Sequence, residues 1–173
     1  MTKEDDLTRR ALEHIGRCND PRELRRVADN ASAAENEPVR DAALRKLYAV
    51  SPDAQPGTLE HDVWQSIFAL EGALREERGK TTLLSRTRQK IKRDGEERTV
   101  SDLIMKSASE GYRMLLDRGW PELTFEAVAL RHSDRFDQAV VDAAQKRLSG
   151  SGSRFDHGGA TEPAEDCNDR GAG

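Results

Sequence analysis

The chain has 173 residues, of which 35% are hydrophobic and 35% charged, with a formal net charge of −4. The length suffices for one domain with a core, but the apolar share lies below the roughly 45–50% usual for globular domains (a range that also counts Gly), so the core is small or diluted by an unstructured part. Two widely separated cysteines exclude a disulfide framework, no apolar run reaches the ~18 residues of a membrane span, and two Trp, two Tyr and four Phe leave few platforms for stacked bases.

The opening "MTKEDDLTRR" is charged and lacks the apolar core of a secretory signal, so a reducing cytosol is the expected setting. Leu7, Ala11, Leu12 and Ile15 then recur at the spacing of a short amphipathic helix. Asp20-Pro21 opens a second helix, with Asp as N-cap and Pro at the first helical position. Its inner face is Leu24, Val27, Ala28 and Ala31. "ENEPVRDAALRKLYAV" predicts a third, with Val39, Ala42, Ala43, Leu47 and Val50 inward, and "SPDAQPG" breaks it. The second and third helices together predict an αα-hairpin.

"EPVRDAALRKL" resembles the second half of a HEAT-type repeat. The resemblance implies a small apolar face that stacks on a neighbouring hairpin. No second copy follows at a fixed period, so no solenoid is predicted.

Thr58 is placed to cap the most apolar helix, "LEHDVWQSIFALEGALREER". Val63, Trp64, Ile67, Phe68, Leu70 and Leu74 give it a wide apolar stripe, and Gly79 ends it. A basic helix is predicted from about Thr81 to Asp94, stopped at Gly95. "VSDLIMKSASEGYRMLLDRG" predicts a short helix, a break and a second helix. "WPELTFEAVALRH" and a last helix capped by Ser133 follow, the latter with Phe136, Val140, Val141, Ala144 and Leu148 inward. No period-two alternation points to strands. The expected fold is all-α, with seven or eight helices over residues 5–149. From residue 150 the chain is rich in Gly, Ser, Asp and Glu, and is expected to be a disordered tail.

No catalytic constellation emerges. "RGKTT" looks like the end of a phosphate loop, but the first glycine of that motif would fall at Leu74, and the preceding segment is helical rather than a strand. Neither cysteine has a local catalytic signature, and there is no G-x-S-x-G elbow. His14, His61, His132 and His157 are each expected at the surface or at a helix end, without a metal site. Glu71, Glu76 and Glu77 are expected to be solvated or paired with Arg75 and Arg78. No cofactor is predicted.

The strongest signal is charge. Seven of the 28 basic residues lie between Arg78 and Arg93, with no acid among them. At about 100° per residue with Leu84 as origin, Ile91 falls near −20° while Arg86, Lys90 and Arg93 fall between about 180° and 240°, on the opposite side. Arg88 and Lys92 fall near 40° and 80°, and Gln89 near 140°. Such a helix is pinned by a few apolar residues and shows cations over most of its circumference. The expected function is non-enzymatic binding of nucleic acid, DNA ahead of RNA. Arg86, Arg88, Lys90, Lys92 and Arg93 would hold phosphates, Gln89 would reach a base edge, and Arg78 and Lys80 would sit at the rim. The alternative is a helical interaction module or subunit that docks an acidic protein partner.

Overall fold

A computed structural model describes residues 3–152. Its order is α1 (Lys3–Arg17), α2 (Pro21–Ala33), α3 (Glu37–Val50), α4 (Leu59–Arg78), α5 (Ser85–Asp94), α6 (Glu96–Ile104), α7 (Glu110–Asp117), α8 (Phe125–Arg131) and α9 (Gln138–Gly152), with single 3₁₀ turns at Pro121–Leu123 and Ser133–Arg135. The fold is all-α, as expected: among the described residues no strand occurs and nine α-helices form, close to the expected seven or eight. No described helix is long and apolar enough to cross a membrane. The tail expected to be disordered lies outside the described residues, apart from its first positions, which close α9.

Local chemistry sets most helix ends. Asp20 is in an extended conformation and accepts the Arg22 amide, with Pro21 beginning α2. Asn36 accepts the Val39 amide at the start of α3, and Thr58 accepts that of His61 at the start of α4. Each cap satisfies an amide that has no partner inside its helix. Gly79 ends α4 with a φ of 66°, a left-handed conformation that costs glycine nothing.

The α2–α3 hairpin forms as expected and buries Leu24, Ala28, Ala31, Val39, Ala43, Leu44 and Leu47. Side chains such as Leu24 and Leu44, removed wholly from water, each contribute about 1.5–3 kcal/mol before entropy is counted. Helix α4 is the central element. Its Ala69 and Leu70 complete the core shared with α2 and α3, whereas Leu59, Val63 and Ile67 face a second core made with α6, α8 and α9. Ala73 and Leu74 meet Met114 of α7 in a third, small cluster. Leu84, just before α5, packs against all three.

Three expectations are corrected. Helix α1 forms, but Leu7 is 57% and Leu12 38% exposed, so of its expected stripe only Ile15 and the partly buried Ala11 pack on the core. Ser133 belongs to a 3₁₀ turn instead of capping the last helix, which begins at Gln138. The basic helix begins at Ser85, not Thr81. Lys80 to Leu84 form an irregular connection, and Leu83 within it is 56% exposed.

Candidate nucleic-acid interface

Ile91 is the one buried residue of α5, as its position opposite the cations requires. The remaining grip comes from ion pairs. The Arg88 Nε and Nη2 each donate to Glu71 of α4, both at 2.7 Å, in a bidentate pair. Glu71 is 8% exposed, and its Oε1 also accepts the Leu84 amide at 2.9 Å. The Arg88 guanidinium lies 5.1 Å from the Trp64 ring centre and 5.5 Å from that of Phe68. Hydrogen bonding to Glu71 raises the Arg88 pKa further above its ordinary value. Lys90 bridges Asp94 and Asp102, at 2.7 Å from each, and so ties α5 to α6.

These contacts divide the expected phosphate ligands in two. Arg88 and Lys90 hold α5 to the rest of the fold. Arg86, Gln89, Lys92 and Arg93 are exposed, together with Ser85. Their i, i+3 and i+4 spacing lines them along one solvent face. Arg93 is 70% exposed and pairs only with its neighbour Asp94, at 2.8 and 2.9 Å. The bonds from Arg93 and Lys90 hold the Asp94 carboxyl well below the usual carboxylate range. Arg86 and Lys92 have no acidic partner among the described residues. The same holds for Arg78, the last residue of α4, and Lys80, in the irregular connection, both exposed. The acid-free run is thus three-fifths available in α5, because Asp94 and the distant Glu71 and Asp102 draw cations out of it.

No family model, curated protein or solved structure matches this chain.

A cavity of about 500 Å³ opens beside the N-terminus of α5. Leu74, Leu84, Leu103 and Phe125 form apolar parts of its wall, and the exposed Arg78 and Arg86 stand at its rim. Deeper in the wall, Arg147 donates to Glu126 at 2.5 Å and to the carbonyls of Ile104 and Lys106 at 2.7 and 2.6 Å. The Arg147 charge is therefore already matched, and the free cations at the cavity are those of the basic segment.

Two side-chain clusters involve histidines that sequence reasoning had set aside singly. Asp62 accepts from His132 Nε2 at 2.9 Å and Arg131 Nε at 3.1 Å, and its other oxygen lies 3.2 Å from His61 Nδ1. Burial alone would raise the Asp62 pKa, but the bonds with His132, His61 and Arg131 outweigh it and hold the carboxyl below its ordinary value. His61 and Asp62 are neighbours in the chain, yet their side chains do meet. The second cluster joins His14 to Cys18 and Glu23. A spacing of four between His14 and Cys18 signalled it, since it puts both on one helix face.

Proposed function

We propose that the chain is a non-enzymatic, phosphate-binding accessory protein of nucleic acid, DNA ahead of RNA, acting in a reducing cytosol. The exposed face of α5 forms its contact surface. The observation that carries the reading is the division of labour within α5: Arg88 and Lys90 fix the helix, while Arg86, Lys92 and Arg93 stand in solvent with Gln89 between them. A rigid helix holding several cations contacts successive phosphates without ordering a loop first. Arg78 at the end of α4 and Lys80 in the irregular connection extend the surface. Gln89 is the residue able to read an adenine edge.

With about five phosphates neutralised, affinity for a duplex falls roughly 500-fold between about 0.05 and about 0.2 M salt. Fluorescence anisotropy with a labelled mixed-sequence duplex and a single strand, for wild type and for the Arg86→Glu, Lys92→Glu double variant, tests this. Wild type is expected to bind at the lower salt and the variant at least tenfold more weakly. A wild type with no low-salt affinity for either strand form would end the proposal.

An acidic protein partner is the second reading, favoured by the cavity. A phosphate backbone has no use for the apolar wall beside Arg78 and Arg86, whereas an acidic peptide with an apolar anchor fills it. Loss of a stoichiometric protein partner in the same double variant, with duplex binding absent from wild type, would select this reading.

A further inference from the structure

We infer that His14, Cys18 and Glu23 form a binding site for a divalent transition-metal ion of the zinc class. The three come together through the tight connection between α1 and α2. The Cys18 amide bonds to the His14 carbonyl at 3.0 Å, which carries the last turn of α1 one residue past Arg17 and stacks the two side chains on one face. Asp20 then caps α2, and Glu23 in its first turn points back at them. Glu23 Oε1 lies 2.9 Å from His14 Nε2, and Oε2 lies 3.6 Å from Cys18 Sγ. One ligand atom from each of the three falls within 4.8 Å of the other two.

This spacing matches a metal. A tetrahedral ion with bonds of about 2.0–2.3 Å holds its ligands roughly 3.3–3.6 Å apart. Closing the site draws ligand atoms that are up to 4.8 Å apart together by at most about 1.2–1.5 Å, within reach of the half-exposed His14 and Glu23 side chains. The donor set selects the ion: a thiolate and an imidazole favour zinc or its neighbours over magnesium or calcium, which take oxygen ligands. Binding would release the thiol proton to solvent, and the thiolate and carboxylate would together neutralise a 2+ charge. Three protein ligands leave a fourth position, and with His14 exposed, water reaches it. Arg26 stands 4.0 Å from Glu23 Oε1 and competes for that oxygen, but its side chain is 73% exposed and free to turn away.

The site also meets a mechanical need. Helix α1 leaves Leu7 and Leu12 in solvent, and its apolar hold on the core is Ala11, Ile15 and, just beyond its end, Cys18. A metal joining its C-terminal end to the first turn of α2 staples it there, and such binding adds directly to folding stability.

Cobalt(II) titration of the reduced, metal-free full chain tests the inference. A thiolate-to-cobalt charge-transfer band and visible d–d bands should grow to one equivalent, and zinc should abolish them. Cys18→Ser should remove the charge-transfer band, while Cys167→Ser, which alters the other thiol, should leave it. His14→Ala lies on an exposed side chain and retains the fold. It should weaken binding at least as much as loss of an outer-shell partner does, by about 10–100-fold. At one and the same zinc concentration, the thermal midpoint of wild type should rise by more than that of His14→Ala. Absence of a thiolate band in wild type, or a band that follows Cys167, would overturn the site and leave only a hydrogen-bonded triad.

Discussion

Arg88 on α5 clasps Glu71 on α4 through two parallel hydrogen bonds of 2.7 Å, across seventeen residues of chain. Glu71 is buried, and the same carboxylate holds the backbone amide that leads into α5. Arg88, like Lys90, is therefore a structural cation, within a run whose Arg86 and Lys92 have no acidic partner among the described residues. Removing it leaves a buried carboxylate with a single amide donor.

Arg88→Met is accordingly expected to cost about 2–3 kcal/mol, less than the 3–5 of a fully buried pair because the Arg88 side chain is 30% exposed. Urea denaturation measures it. Arg86→Met, on the exposed face, is expected to stay within about 0.5 kcal/mol of wild type. Equal losses for the two would mean that α5 is not held as described.

Gly72 sits where α4 crosses the Tyr48 ring. A Cβ there would meet the Tyr48 hydroxyl and two ring carbons at 2.7 and 2.9 Å, all on a side chain that is itself buried. Gly72→Ala gains about 1 kcal/mol of helix propensity but overpacks the α3–α4 contact, for a net loss of about 1–2 kcal/mol. Combining it with Tyr48→Phe should restore only part of the loss, since the ring carbons remain. Thermal unfolding of the two variants reads both effects.

Asp62 makes stability depend on acid. Its pKa is lower folded than unfolded, so its contribution is complete above the ordinary aspartate value near 3.9 and is lost as pH falls through the folded value. Asp62→Asn should lower stability at neutral pH by about 1–2 kcal/mol. Its unfolding free energy should also decline less steeply than that of wild type below about pH 4. Parallel curves for the two proteins would remove Asp62 from the acid response.

The parts of this structure legible in the sequence are those set by near neighbours. Asp20-Pro21, Thr58 and Gly79 act within one helical turn, and each does what its chemistry dictates. The central role of α4 followed from a stripe wide enough to need burial on more than one side. Leu7 and Leu12 show the limit of the same logic: a regular stripe says that a face is apolar, not that a partner covers it. Arg88 reads as a free cation because its acid, Glu71, lies on another helix, where no local spacing relates them; for Lys90 the same holds of Asp102, whereas its pair with Asp94 is a local i, i+4 contact within α5. The start of α5 is hidden for a similar reason, since Glu71 holds the Leu84 amide from another helix. His14 and Cys18 were within reach of local reasoning, at a spacing of four, whereas Glu23 joined them only through the turn between α1 and α2.

The central claim is that the exposed cations of α5 and its approach contact successive phosphates. The most direct measurement is the salt dependence of duplex affinity for wild type and for Arg86→Ala, Lys92→Ala. Five contacts predict a log–log slope of about −4.5 for wild type, and losing two predicts a slope shallower by about 1.8. No measurable wild-type affinity at low salt, or a slope unchanged by the two substitutions, would contradict the account.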